Sequence, residues 1–147
     1  MANIQKIISV IPTKFYLVLP IVWMILIFTL SNRQSIAVSQ YLLPNFVFFK
    51  SLHIIEYAIL TFLNIMAITV NFRRPTFRYI LLISALLALL FAISDEIHQL
   101  YVPTREGRFR DVLIDSIGIF SVYCLAIRYE KRISKVVAST FYPKSSQ

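Results

Sequence analysis

The sequence predicts an all-α integral membrane protein, a single bundle of four transmembrane helices with both termini on the cytoplasmic side. Three observations predict it. The chain of 147 residues is 58% hydrophobic, with a mean hydropathy of +0.71, well above a soluble domain. Its apolar residues fall in four runs, Phe15 to Leu30, Leu52 to Val70, Phe77 to Ile93 and Val112 to Ile127, each close to the ~20 residues that cross a ~30 Å hydrocarbon core. Gly occurs only twice, and no run alternates apolar with polar residues as a barrel strand would.

The four helices are placed at about 15–31, 51–70, 77–97 and 111–128, followed by a basic cytoplasmic tail over 129–147 that is expected to be partly disordered. The first ends in a polar break, SNRQS from Ser31 to Ser35. The next stretch, up to Lys50, holds Tyr41, Pro44, Phe46, Phe48 and Phe49 and reads as an interfacial segment, where aromatic rings are favoured. The second helix opens with Lys50, His53, Glu56 and Tyr57, the last three on one face by their spacing of three and four. A short basic loop with Arg73, Arg74 and Pro75 anchors the turn into the third helix. That helix runs into Asp95, Glu96, His98 and Gln99 before Pro103. The fourth starts at Arg110 and Asp111, a favourable carboxylate in a first turn, with Asp115 one turn deeper and Gly118 placed for close helix approach. Cys124, in the last run, is expected to be an inert buried thiol.

The cationic residues decide orientation. With the N-terminus inside, ten of the 15 Lys and Arg residues fall on the cytoplasmic side, as the positive-inside bias favours. Five then lie outside: Arg33, Lys50, Arg105, Arg108 and Arg110. Three arginines in one outer loop run against that bias, which suggests a function. A cleavable signal peptide ending near Ala37 and Ser39 is an alternative reading of the first run. The net charge of +8 does not point to nucleic acid, because the cations fall in short clusters between apolar runs instead of on one continuous face.

In this topology Lys50, His53, Glu56, Asp95, Glu96, His98, Gln99, Arg105, Arg108, Asp111 and Asp115 converge in one outer layer. Charges at that depth need partners, a water-filled space or a task. Arginine forks suit phosphate or carboxylate. Lys50, Gln99, Arg105, Arg108 and Asp115 are accordingly read as ligand-binding candidates. His53, Glu56, Asp95, Glu96 and Asp111 are the candidate catalytic groups if the protein is an enzyme, as acid and base or as oxygen and imidazole ligands of a divalent metal. Glu96, with His98, Glu106 and Arg110, is also the candidate expected nearest to water. The bland reading is a set of ion pairs joining the helices: Asp95 or Glu96 with an arginine, Asp111 with Arg108, Glu56 with Lys50. No phosphate-cradling glycine loop, HExxH motif or nucleophile elbow is present.

These residues resemble the VanZ-like family of bacterial membrane proteins. The resemblance rests on the Ser/Asn/Gln break, on K-x-x-H-x-x-E-Y from Lys50 to Tyr57, and on the segment DEIHQLYVPTREGRFRDVLIDSIG. In that segment Asp95, Glu96, Gln99, Pro103, Arg105, Gly107, Asp111 and Gly118 fit the family pattern, and Thr104 departs from it where Gly is common. The resemblance implies a multi-pass protein of the bacterial cell membrane, associated with glycopeptide (teicoplanin) resistance, and it supplies no settled reaction. Three functions follow. The first is binding of an anionic lipid-linked envelope precursor or surface component at the outer polar site, altering access of the glycopeptide, with membrane lipids as partners. The second is hydrolysis or transfer on a lipid phosphate or glycolipid. The third is proton- or ion-coupled transport through Glu56 and Asp115.

Overall fold

The computed structural model describes residues 12–32, 41–72, 76–103, 105 and 107–141, with the side chains of Leu42 and Pro44 left aside. The basic loop at 73–75, the break at 33–35, the signal-cleavage residues, Thr104, Glu106 and the last six residues lie outside that set. Every described element is helical: α1 (Phe15–Ser31), α2 (Leu42–Asn71), α3 (Phe77–Gln99), α4 (Phe109–Arg128) and α5 (Glu130–Phe141).

Two helices, over Asn45–Asn71 and Phe77–Gln99, are long and apolar enough to cross a membrane; α4 meets the criterion only together with α5, from which it is bent by 78°, and α1 is apolar but shorter. At 17 residues α1 is about 26 Å long.

The structure departs from the sequence reading at three elements. The interfacial segment before Lys50 contributes the first turns of α2, which starts at Leu42 and not near residue 51. Pro44 permits this because it falls in the first turn, where a backbone N–H has no intrahelical acceptor to lose. The tail likewise folds into α5 over Glu130–Phe141. Ile133, Val136, Val137, Thr140 and Phe141 recur at helical spacing there, so one face is apolar and Lys131 and Lys135 stand off it. Cys124 is exposed on the bundle's outside.

α2 packs against α1, α3, α4 and α5. The core joins Ile27 of α1, Tyr57 and Leu60 of α2, Ala88 and Ala92 of α3 and Ile119 of α4; a second cluster of Ile65, Leu81 and Ala126 lies toward the α5 end. Small residues let the backbones close up without a hydrophobic drive between them. A Cβ on Gly118 would run into the carbonyl oxygen of Ile54 and lie 3.0 Å from that carbonyl carbon and 3.1 Å from the Ala58 nitrogen. The outer faces carry Leu26, Phe62, Leu90 and Phe120, all exposed, an apolar coat that suits lipid and not water. Hydroxyls within the helices donate back one turn, as Thr61 does to the Tyr57 carbonyl (2.8 Å) and Ser116 to that of Val112 (2.7 Å), which meets their polarity locally.

Candidate functional site

Alternating helix directions put the C-terminal turns of α1 and α3 beside the N-terminal halves of α2 and α4. The polar residues collect at that end.

α1 delivers Ser31, 3% exposed, to α3. Its hydroxyl donates to Asp95 Oδ2 at 2.8 Å, and Gln99 Nε2, one turn along α3, donates to the same oxygen at 3.0 Å. Asp95 and Gln99 are 1% and 2% exposed, so this latch is shut off from solvent. Trp23 Nε1 adds a second tie, 2.9 Å from the Glu56 carbonyl of α2. Asp95 is thus held by neutral donors among the described residues, where an arginine was the expected partner.

The loop after α3 folds back over its last turn. The Arg108 amide donates to Glu96 Oε2 at 2.9 Å, and Gly107 passes so close that a Cβ there would meet the Glu96 carbonyl and the Leu100 side chain. Glu96, expected near water, is therefore buried at 5% exposure. Arg108 itself is exposed and contributes its backbone N–H here, while Arg105 is half-buried and acts electrostatically on Glu56. His98 is half-buried and stacks on Phe28 of α1, ring centroids 4.0 Å apart.

Between α2 and α4 the charge pairing also differs from the expected one. Lys50 Nζ lies 2.7 Å from Asp111 Oδ2, while Arg110 Nε approaches Asp111 Oδ1 at 3.4 Å and its guanidinium sits 4.9 Å over the ring of Phe46. Asp111 occupies the first turn of α4 as predicted. One turn deeper, His53 Nδ1 stands 3.4 Å from Asp115 Oδ1, a long contact that pairs the imidazole with the carboxylate.

Tyr57 closes the layer from beneath. It is fully buried, near-parallel to the His53 ring at 6.5 Å, and within electrostatic range of Asp95, Asp115, Glu96 and Glu56. Among the described residues its hydroxyl has no hydrogen-bond partner; the same holds for Asp95 Oδ1, Glu96 Oε1 and Asp115 Oδ2. Buried polar atoms are ordinarily paired, and their gathering here sets this layer apart from the apolar core beside it.

The structure thus gathers His53, Glu56, Asp95, Glu96, Gln99, Asp111, Asp115 and Lys50 at one end of the bundle, with Arg105 and the backbone of Arg108 in the connector above them. Ser31 and Tyr57 belong to the same layer; the sequence reading placed Ser31 in the polar break and Tyr57 on the face of His53 and Glu56, and named neither as a site residue. Tyr57 had a signal, its one-turn spacing from His53; Ser31 had only its place at the end of an apolar helix. Among the described residues no group of three His, Cys, Asp or Glu side chains is placed to hold a metal ion.

The Lys50–Asp111 pair gives a direct test of how far the layer depends on charge compensation. Lys50→Ala leaves Asp111, 5% exposed, with only the oblique Arg110 contact, and is expected to destabilise the bundle by about 2 to 3 kcal/mol. Adding Asp111→Ala should recover at least about 1 kcal/mol of that loss, read as the coupling in a double-mutant cycle of thermal or denaturant unfolding.

A family model described as VanZ/LLP1 matches residues 11–130. That range takes in α1 to α4 and every residue of the polar layer. No curated protein and no solved structure matches the chain. With a match over most of its length, the chain belongs to the VanZ/LLP1 family.

Proposed function

We propose that this protein crosses the bacterial cell membrane four times, with both termini cytoplasmic, and that its outer polar layer binds an anionic lipid-linked or cell-surface component, lowering susceptibility to glycopeptides such as teicoplanin. One observation carries the reading: buried carboxylates lie at the same end of the bundle as the cations of the connector. Arg105 and Arg108 at the rim suit a phosphate or carboxylate, while Lys50 and Arg110 are engaged with Asp111. Asp95 Oδ1, Glu96 Oε1 and Asp115 Oδ2 are matched to O–H and N–H donors, as a sugar or peptide attached to that anion would present. Support for counting the short α1 as a crossing comes from the latch that ties Ser31 to Asp95 of α3, and support for the orientation from the positive-inside bias.

Expression in a susceptible bacterium is expected to raise teicoplanin tolerance, and Arg105→Ala to return it to the vector level at equal amounts of membrane protein. Tolerance undiminished by Arg105→Ala would remove the rim from the mechanism.

A second reading, an enzyme acting on a lipid phosphate or glycolipid, draws on the His53–Asp115 approach. A buried imidazole facing a carboxylate at 3.4 Å resembles a base awaiting alignment by its substrate. A processed lipid formed by purified wild type, and lost in His53→Gln, would favour turnover over binding.

A further inference from the structure

The opposite end of the bundle holds a groove of about 730 Å³ between α2, α4 and α5, within the range of small-molecule sites. On α2 it runs from Ala58 to Met66, about 12 Å along the helix and therefore most of one leaflet of a ~30 Å core. Leu125 of α4 and Ile133 and Val136 of α5 form the facing walls. Arg132 is the one charged residue among those that line it, and it sits on α5 beside the exposed Lys131 and Lys135. Glu130 on the same helix leaves it with a net positive charge.

The 78° bend explains why the groove exists. α5 turns off the axis of α4 at Tyr129 and reaches toward the start of α1, where Phe141 meets Tyr16 edge to face at 5.5 Å. It thus crosses the end of the bundle with its apolar face inward, the disposition of an amphipathic helix lying in a membrane interface. On the proposed topology, on which this inference rests, α5 lies at the cytoplasmic interface; the groove wall is then apolar and the exposed Arg132 brings its charge to the rim. An apolar channel beside an interfacial cation suits an anionic phospholipid.

We propose that this groove holds one acyl chain of an anionic phospholipid, with the headgroup phosphate on Arg132. The site is at the far end from the polar layer and involves none of its residues. The lipid would complete the packing between α5 and the transmembrane helices, and α5 would select for negative charge.

Native mass spectrometry of the full-length protein in detergent, titrated with phosphatidylglycerol or with phosphatidylcholine of the same chains, tests the proposal. Wild type is expected to retain one phosphatidylglycerol per protomer in preference to phosphatidylcholine. Arg132→Ala should weaken phosphatidylglycerol about fivefold, the worth of one interfacial cation, and leave phosphatidylcholine unchanged. Leu125→Trp, at an exposed position that can accept bulk, should fill the groove and abolish retention of both while the helical circular dichroism stays that of wild type. Equal retention of the two lipids by wild type, or retention that survives Leu125→Trp, would overturn it. So would a dimer that dissociates in Leu125→Trp, because a second copy of the chain would then be the occupant.

Discussion

Gly118→Ala is expected to cost about 3 kcal/mol of stability, and Gly118→Leu to leave no folded bundle. The added Cβ would meet the Ile54 carbonyl oxygen, with that carbonyl carbon at 3.0 Å and the Ala58 nitrogen at 3.1 Å. Those neighbours are backbone, so no side-chain rotation relieves the contact, and α2 and α4 must separate. Overpacking usually costs about 1 to 3 kcal/mol, and a clash that moves two helix axes belongs at the upper end. The separation also has a chemical consequence, because His53 lies one residue before Ile54 and Asp115 one turn before Gly118. Opening the crossing therefore parts the pair now 3.4 Å apart, so activity should fall with stability. Gly107→Ala is the informative comparison: its Cβ would meet the Glu96 carbonyl and the Leu100 side chain at 2.9 Å, in the connector and away from any crossing of two helices. A smaller loss of stability is expected there, with the Arg108 amide drawn off Glu96. Thermal unfolding of the purified variants checks both, and equal midpoints for Gly118→Ala and wild type would contradict the crossing.

Asp95→Ala should destabilise the bundle by about 2 to 4 kcal/mol, whereas Asp95→Asn should leave its fold nearly intact and still remove function. Alanine takes away the acceptor of two buried donors, Ser31 Oγ and Gln99 Nε2, and each unpaired buried donor costs about 1 to 3 kcal/mol. They can offset part of this only through their own 3.5 Å contact. Asparagine keeps an oxygen where Oδ2 stands, so both bonds survive. It places an NH₂ group where Oδ1 now has no partner, turning an acceptor that faces the layer into a donor. Asp95→Ala and Asp95→Asn thus separate the latch from the site. Wild-type teicoplanin tolerance in Asp95→Asn would assign Asp95 to the latch alone.

The relation between sequence and site is clearest at α3 and its loop. Asp95 and Gln99 share a face because they are one turn apart, which the spacing states outright. Glu96 sits on a different face, so the helix pattern pointed it toward water. It is buried because the connector returns over it, with Gly107 allowing the close pass and Arg108 supplying an amide. That contact joins residues 12 apart through an irregular segment, where no periodicity applies.

Charge pairing shows the same divide. The segment from Asp95 to Gly118 announced itself by carrying ionisable residues against apolar helices, and the alternation of helix directions brought it to His53 and Glu56. Which cation meets which carboxylate was not legible. Lys50 reaches Asp111 of α4 and not Glu56, which lies six residues along the same helix, about 9 Å of rise away and on a different face. Ser31 is invisible in the same way: a hydroxyl ending an apolar helix is unremarkable until packing places it 2.8 Å from a buried carboxylate.

By itself the sequence determined that this protein is helical, that its surface must face an apolar medium, and which residues gather at one end. Those follow from composition and local spacing, which act along one helix at a time. Tertiary structure alone decided that Pro44 falls inside a first turn, that the tail becomes α5 and encloses an apolar groove, and that Tyr57 is buried among the carboxylates of three helices. These depend on the rotation and closeness of helices distant in sequence, and a buried atom's partners exist only once those helices have packed.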